Sequence, residues 1–174
     1  LREPPLEVVE SDPAWPSRYE AEAGRVRGAL GPDVVGLEHM GSTAVPGLAA
    51  KPVIDISAGL VRAELAPVQA SAMEELGYEY LGENGLPGRL FFRRDEAGRR
   101  AFHVHAVEHG GEHWHRHRAL RDYLLAHPDE VERYASEKRR LAAEAATHAD
   151  YWERKQPYMD ALFARAWTWY PGRP

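Results

Sequence analysis

Residues 39–60 read HMGSTAVPGLAAKPVIDISAGL, and this stretch decides the fold. Its pattern predicts the end of one strand, a loop of small residues opened by Gly41-Ser42, a turn, and a second buried strand within Pro52–Leu60. Asp55 lies inside that apolar run, where a carboxylate is costly unless it is hydrogen-bonded or bound to a cation. The twelve residues between Ser42 and Asp55 allow the chain to leave one strand and return beside it.

The composition predicts one domain of ordinary size. The chain has 174 residues, 44% hydrophobic and 28% charged, which suits a buried core with a charged surface. The net charge of −5 argues against a general nucleic-acid binder, which normally presents a basic face. The absence of cysteine excludes disulfides, thiolate metal sites and a cysteine nucleophile. Because no apolar run could cross a bilayer and residues 1–5 lack a signal segment, we expect no membrane partner and a cytoplasmic protein.

Apolar periodicity and turn residues predict strands and helices in alternation, followed by helices alone. The predicted strands are Leu6–Val9, Val34–Met40, Pro52–Leu60, Tyr78–Leu81, Arg89–Arg94 and Arg100–Val107. The predicted helices begin near Pro16, Glu64, Glu112, Pro128 and Asp150, the last with a kink at Pro157 and a frayed tail over Trp167–Pro174. This order indicates an α/β fold with a mixed β-sheet flanked by helices and a helical C-terminal segment.

The central stretch carries the first candidate site. Asp55 could be a Mg²⁺ ligand or a catalytic carboxylate at a strand end, or a buried acid satisfied by backbone amides or an arginine. Gly41-Ser42 could cradle a phosphate with loop amides and a hydroxyl, or could form a tight turn. Lys51 could hold a phosphate as a point charge, or could be a solvated loop residue.

A second candidate lies in FHVHAV, Phe102–Val107. Strand alternation puts His103 and His105 on one face, where they could chelate a metal with one further ligand or serve acid–base chemistry, or could be structural. Whether they share that face with Arg89 and Arg93 depends on the hairpin between the two strands. A loop of three or five residues puts them together, and an even-length loop separates them.

The segment His109–Arg118 holds a second group of histidines, of which His113 and His117 share a helical face. A zinc site is conceivable, but the pattern lacks the glutamate of zinc proteases. A basic helical face towards a cleft is the favoured functional interpretation. The nearby arginines fit either an anionic-ligand face or, preferably, a charged surface; they are Arg116, Arg118 and Arg121.

Five segments together resemble proteins of the GrpB family: DPAWPSRYEAE, EHMGSTAVPGLAAKPVIDI, GYEYLGENGLPGRLFFRR, FHVHAVE and HRALRDYLLAHPDEVERYASEKRRLA. They cover about Val8–Ala166, and we expect a single domain over residues 1–174. A related domain is fused to some bacterial dephospho-CoA kinases. The family in turn resembles the nucleotidyltransferase superfamily, which implies a mixed sheet, a Gly-Ser loop after one strand, and Mg²⁺-binding acidic residues on the next strand.

The resemblance carries over only in part. Gly41-Ser42 matches the Gly-Ser of the superfamily, and Asp55 lies at the expected distance. The superfamily usually has two carboxylates at alternate positions of that strand, whereas this chain has Val53 and Ser57 beside Asp55 at that spacing. A third carboxylate, usually on a later strand, could be replaced by His103 or His105.

From these residues we expect an enzyme that transfers a nucleotidyl or related group from a nucleotide to a small-molecule acceptor with Mg²⁺. The predicted catalytic and metal-binding residues are Asp55, His103 and His105, and the predicted phosphate- or nucleotide-binding residues are Gly41, Ser42, Thr43, Lys51, Arg89 and Arg93. The alternatives are a catalytically silent nucleotide- or CoA-related binding module and a metal-dependent hydrolase. Convergence of Asp55 with both histidines favours an enzyme, whereas histidines that face the helical layer favour the binding module.

Overall fold

The computed structural model describes residues 7–172 of the chain, which form a five-stranded sheet and five α-helices. The strands are β1 (Val34–Met40), β2 (Ile54–Leu60), β3 (Glu79–Tyr80), β4 (Leu90–Glu96) and β5 (Arg99–Glu108). The helices are α1 (Trp15–Leu30), α2 (Pro67–Glu75), α3 (Glu112–Ala126), α4 (Pro128–Glu144) and α5 (His148–Trp169). The predicted fold class, a mixed sheet with a helical C-terminal segment, is confirmed.

The sheet is mixed, with the strand order β1-β2-β5-β4-β3. β2 and β5 run parallel, and the other neighbouring pairs are antiparallel. A parallel pair needs a crossover, which α2, β3 and β4 supply here. The β2–β5 register sets Asp55 opposite His103 and Ser57 opposite His105, so these four side chains share one face of the sheet.

The opposite face of the sheet is apolar and carries α1 and α2. Ile54, Ile56 and Val104 are fully buried there and pack in one cluster with Val26 and Leu30 of α1. Complete burial of such side chains contributes roughly 1.5–3 kcal/mol each to the free energy of folding. This apolar layer holds β2 and β5 in place and leaves the other face free for polar residues.

The C-terminal helices cover part of the polar face. Gly36 on β1 and Gly59 on β2 lie beneath Trp114 of α3, and a Cβ on Gly59 would come within 2.9 Å of the indole and 2.7 Å of His109. The absence of side chains at these two positions therefore lets Trp114 pack directly on the sheet. A second buried cluster joins the loop after β1 to α4 and α5, through Leu48 and Leu162 among others.

The hairpin between β4 and β5 has an even-length loop. Ala97 and Gly98 form a two-residue turn, and both have positive φ, 50° and 74°, as in a type I′ turn. The adjacent pair is Glu96 with Arg99, so an odd-numbered position of one strand initially faces an even-numbered position of the other. Without further change, this parity would separate the arginines of β4 from the histidines of β5.

A β-bulge reverses that parity. The register shifts between Arg94 and Asp95, and beyond the shift Arg93 pairs with His103 and Phe91 with His105. One extra residue on the bulged strand turns every following side chain to the opposite face. Because of the bulge, Arg93 lies on the same face as His103 and His105 although the loop has an even number of residues. We expected this arrangement only from a loop of three or five residues.

Two predicted boundaries in the first part of the chain were wrong. The strand predicted at Leu6–Val9 is reduced to a single bridge between Val9 and Ala50, and Leu6 lies outside the described residues. Helix α2 begins at Pro67 instead of Glu64, because the side chain of Gln69 accepts a hydrogen bond from the amide of Ala66 and so caps the helix there.

The last helix also differs from its prediction. α5 begins at His148, because Thr147 accepts a hydrogen bond from the amide of Asp150 while the Asp150 carboxylate accepts one from Ala146. The helix continues through Pro157 to Trp169, and Tyr170 is buried, so the fraying predicted for Trp167–Tyr170 was wrong. Residues 173–174 lie outside the described residues.

Candidate functional site

Asp55, His103 and His105 meet at the centre of the polar face. Oδ1 of Asp55 lies 3.2 Å from Nδ1 of His103 and 3.0 Å from Nε2 of His105. One possible ligand atom from each residue lies within 4.8 Å of the other two. The parallel β2–β5 pairing sets Asp55 opposite His103, and strand alternation adds His105 two residues later.

The protonation states at this centre follow from burial and hydrogen bonding. Burial raises the pKa of Asp55, but the hydrogen bonds to His103 and His105 outweigh it and hold that pKa below its usual range. Burial lowers the pKa of His105, so this imidazole is neutral at pH 7. A charged carboxylate and a neutral imidazole are the forms that bind a metal ion.

Arg89 approaches the same centre from the loop before β4. Its Nη1 lies 3.4 Å from Nδ1 of His105, and its Nη2 donates hydrogen bonds to the carbonyls of Glu83 and Asn84. The guanidinium also lies over the ring of Phe91, 4.7 Å from its centroid. Because a guanidinium can only donate, Arg89 presents positive charge to the outer nitrogen of His105.

The Gly-Ser loop reaches Asp55 because its first residue is glycine. Gly41 has φ 69°, and a Cβ at this position would lie 2.7 Å from Oδ2 of Asp55. Both the backbone conformation and the close approach therefore require glycine. The hydroxyl of the next residue, Ser42, accepts a hydrogen bond from Nζ of Lys138 on α4.

A cavity of about 290 Å³ opens beside Asp55 and His103, between the Gly-Ser loop and the C-terminal helices. Its wall also includes Ser42, Thr43, Lys51, Lys138, Tyr151, Trp152 and Lys155. Three lysines in one wall, with a carboxylate and a histidine at the base, make a cationic cavity next to a possible metal site.

Lys138 is the most buried of these lysines, at 2% exposure. Its ammonium donates to Ser42 and to the carbonyl of Ala49, and lies 4.1 Å from the ring centroid of Tyr134. No ion pair joins Lys138 or Lys155 to a carboxylate within residues 7–172. Burial, with the nearby charge of Lys155, lowers the pKa of Lys138 well below its usual value.

The remaining predicted phosphate-binding residues have different surroundings. Nζ of Lys51 lies 4.6 Å from the ring centroid of Tyr151, at the cavity wall. Thr43 also lines the cavity, but its hydroxyl is 2.8 Å from Nε2 of His39. Arg93 shares the face of His103 and forms an ion pair with Glu79 on β3.

The second group of histidines does not form a metal site in the part of the chain that the structure describes. His113 contacts the carbonyl of Pro87, whereas Nδ1 of His117 lies 3.3 Å from Oγ of Ser57. Burial lowers the pKa of His117 to about 3, so this ring is neutral, and it packs 5.1 Å from His105. His103 and His105 therefore lie on the face that carries α3, and they also converge on Asp55.

The arginines near that histidine group bind acidic residues of the protein itself. Arg118 and Arg121 both pair with Glu38 on β1, and Arg116 pairs with Glu112 one turn earlier. They thus neutralise carboxylates of this chain, and the Glu38 pairs join α3 to the sheet.

The donor set at Asp55 suits a divalent cation. Two imidazole nitrogens and one carboxylate oxygen are ligands that Zn²⁺, Fe²⁺ and related transition metals accept, whereas Mg²⁺ prefers a shell of oxygens. Nε2 of His103 is buried and has no hydrogen-bond partner in the described residues, so one ring nitrogen lacks the outer partner that usually fixes a metal-binding histidine.

The four cavity residues that belong to the C-terminal helices were not predicted from the sequence: Lys138, Tyr151, Trp152 and Lys155. They belong to α4 and α5, and they reach the site only because these helices pack against the loop after β1. One signal was available in the sequence: Lys138 lies within the apolar face of α4, flanked at helical spacing by Tyr134 and Leu141.

The fold and site define an α/β protein with a carboxylate–histidine centre beside a cationic cavity. The sequence profile of the family described as "GrpB protein" matches residues 5–165, so the chain belongs to the GrpB family. The crystal structure of the conserved protein GrpB from Enterococcus faecalis is similar, with a TM-score of 0.85 and 34% identity over 92% of this chain and 96% of that one.

Two relatives are longer than this chain. UPF0157 protein YqkA of Bacillus subtilis is 33% identical over 97% of the chain and 49% of its own length. A dephospho-CoA kinase of Mycolicibacterium paratuberculosis is 29% identical over 95% of the chain and 47% of its own length. The chain therefore spans about half the length of each. Among the helices of residues 7–172, none is both long and apolar enough to cross a membrane.

Proposed function

We propose that the protein is a metal-dependent enzyme that transfers a nucleotidyl or related group from a nucleotide to a small acceptor. The observation that carries this proposal is the convergence of Asp55, His103 and His105 beside a cavity that Asp55, His103 and three lysines line. A metal-ligand set beside a cationic cavity is the arrangement that phosphoryl chemistry needs, because the reacting phosphate must be both bound and neutralised.

Asp55, His103 and His105 would hold the metal ion. When bound, a divalent cation polarises a phosphoryl oxygen and stabilises the charge that develops on it. The two imidazoles lead us to propose Zn²⁺, Fe²⁺ or a related transition metal, with Mn²⁺ as a spectroscopic probe, ahead of the Mg²⁺ predicted from the sequence. His105 is already neutral and Asp55 already charged, so these two ligands need lose no proton to bulk water before binding.

The lysines would bind the phosphates of the nucleotide. Lys138 is held against Ser42 at the cavity wall, and Lys51 and Lys155 add two further positive charges. Because Lys138 and Lys155 have no carboxylate partner in residues 7–172, an incoming phosphate would supply the missing counter-charge. Arg89 would add a guanidinium next to His105.

The presence of one carboxylate, Asp55, in the metal-ligand set bears on how many metal ions the site could hold. Within residues 7–172, the cluster that could hold a metal contains one acidic residue, Asp55, whereas two-metal transfer needs carboxylates that bridge both ions. We therefore propose a one-metal site in which Lys138 and Lys155 replace the charge of the second ion on the leaving phosphates. Positioning and electrostatic stabilisation would supply most of the rate acceleration.

Metal-dependent hydrolysis of a phosphorylated substrate is a second candidate. The observation that favours it is the pair of imidazole ligands, since three protein ligands with two histidines are typical of sites that activate a bound water. In that case the same lysines would bind the phosphate of the substrate, and water would take the place of the acceptor.

The test is turnover with isotope-labelled ATP, CTP or GTP and Mn²⁺, in the presence of a deproteinised bacterial metabolite extract, followed by mass spectrometry. A product that has gained a labelled nucleotidyl group supports transfer, and labelled nucleoside monophosphate formed without extract supports hydrolysis. Binding without either product would contradict both activities and favour the nucleotide- or CoA-related binding module.

The matched variants are Asp55→Asn and Asp160→Asn. Asp55 is the metal-binding carboxylate of the proposal, whereas Asp160 is an exposed acid on α5. We expect Asp55→Asn to lose turnover while it still folds, and Asp160→Asn to keep it. Full activity of Asp55→Asn would contradict a metal role for this residue.

A further inference from the structure

Trp152 differs from Tyr151, the other aromatic residue of the cavity wall, in its exposure to solvent. It lies in the first turns of α5, lines the cavity with the lysines, and remains 62% exposed. Its neighbour Tyr151 is buried, and its ring is covered by the ammonium groups of Lys51 and Lys155 at 4.6 and 5.8 Å. Trp152 makes no ring-stacking or cation contact with any other part of residues 7–172.

The other exposed tryptophan differs in this respect. Trp169 is 41% exposed and packs edge-on against Tyr123 and His127, with ring centroids 5.7 and 5.3 Å apart. Its position is explained by packing within the protein. Trp152 has no such explanation, and its indole offers an uncovered flat surface at the mouth of a cationic cavity.

The size of the cavity indicates which part of a ligand would reach that surface. At about 290 Å³ it is at the lower end of the range for small-molecule pockets, roughly 300–1,000 Å³. Lys138 lines it at 2% exposure and donates a hydrogen bond to Ser42, which also lines it. A chain of phosphates fits this buried cationic end, and a larger group attached to the phosphates must then extend towards solvent, where Trp152 is exposed.

We propose that Trp152 stacks on the base of a nucleotide whose phosphates bind Lys138 and Lys155. This inference rests on the proposed function, because it takes the cationic cavity as the phosphate site. Stacking of a base on an aromatic ring is favourable for every base, since each has a π face. Trp152 therefore makes the site selective for nucleotides over phosphate chains without a base.

The test compares ATP with inorganic tripolyphosphate, both titrated calorimetrically with the same Mn²⁺ concentration. For the unchanged protein we expect ATP to bind about tenfold more tightly, the increment typical of one base–aromatic stack. Trp152→Ala should remove this difference, because it should lower the affinity for ATP and leave the affinity for tripolyphosphate unchanged. Trp152→Phe should keep most of it, and Trp169→Phe should leave both affinities unchanged.

The possible results distinguish failure of the proposed role of Trp152 from failure of the proposed phosphate site. If Trp152→Ala lowers the affinities for ATP and tripolyphosphate equally, or leaves both unchanged, Trp152 does not stack on the base. The proposed phosphate site would still stand in that case. If the unchanged protein binds tripolyphosphate as tightly as ATP, the base is not recognised and the inference is wrong. If neither probe binds, the proposed function fails, and the role of Trp152 fails with it.

Discussion

Nζ of Lys138 on α4 donates a hydrogen bond to Oγ of Ser42, in the loop after β1, 96 residues earlier in the chain. This contact joins the C-terminal helices to the Gly-Ser loop at the cavity wall. Burial without a carboxylate partner in the described residues disfavours the charged form of Lys138, and a ligand that supplies negative charge would offset this cost.

Replacement of Lys138 by methionine should separate stability from binding. Methionine has a similar length and no charge, so the cost of burying the ammonium disappears, but the hydroxyl of Ser42 and the carbonyl of Ala49 lose their donor. Because these two effects oppose each other, we expect Lys138→Met to change the free energy of unfolding by less than about 1 kcal/mol, measured by urea denaturation, and to abolish tripolyphosphate binding. Destabilisation by more than about 2 kcal/mol with binding retained would show that Lys138 is structural.

The loop glycines offer a matched pair. Gly41 and Gly47 have φ 69° and 80°, and a Cβ on Gly47 would meet nothing within 4 Å, whereas one on Gly41 would strike Asp55. The positive φ should cost each alanine variant about 1 kcal/mol of stability, and Gly41→Ala should lose more because its Cβ would lie 2.7 Å from Oδ2 of Asp55. We expect only Gly41→Ala to lose Mn²⁺ affinity as well, in calorimetric titrations. Equal affinities in both variants would mean that the Gly41–Asp55 approach is not needed for the site.

His39 should make stability depend on pH. Burial lowers its pKa from 6.5 to about 4, so the folded protein keeps this imidazole neutral where the unfolded chain is already protonated. The unfolded state binds more protons between these values, and stability is therefore lost as the pH falls from 6.5 to about 4.

We expect this loss to be about 2 kcal/mol by pH 4, read from denaturation curves at several pH values. The variant His39→Gln retains a side chain able to bond Thr43 and has no titratable group, so its curve should be flatter by that amount. An identical pH dependence in both proteins would exclude His39 as the source.

Arg89 should oppose metal binding in the absence of substrate. Its guanidinium presents a donor and a positive charge to Nδ1 of His105, where a metal-binding histidine normally donates a proton to an acceptor. Arg89→Gln offers a carbonyl acceptor and removes the charge, so Mn²⁺ affinity should rise about tenfold. Weaker Mn²⁺ binding in this variant would contradict this interpretation of the Arg89–His105 contact.

Sequence patterns predicted the local features of the fold and site. Both ends of β1 and the first residue of α3 were predicted correctly, because clear periodicity lies next to strong turn and helix-breaking signals. His103 and His105 were proposed from strand alternation, which fixes the face of a side chain before any tertiary structure is known, and Asp55 was proposed because it is a carboxylate inside an apolar run.

Features that depend on tertiary packing were not predicted. The bulge between Arg94 and Asp95 reverses the hairpin parity, and nothing in the local sequence marks it. Lys138 and Lys155 reach the site only through packing of the C-terminal helices, so the sequence contains one indirect signal, the place of Lys138 within the apolar face of α4. Capping by Thr147 could have been identified, since Asp150 lies three residues later as in a capping box.

The most direct measurement is electron paramagnetic resonance of Mn²⁺ titrated into the metal-free protein, with pulsed detection of ¹⁴N couplings from bound imidazole. We expect one Mn²⁺ per chain, with nitrogen couplings from both His103 and His105, and loss of the bound ion in Asp55→Asn. The Asp160→Asn protein should bind Mn²⁺ as the unchanged protein does. An ion that stays free in solution, or one bound through oxygen alone, would contradict the metal centre at Asp55, His103 and His105.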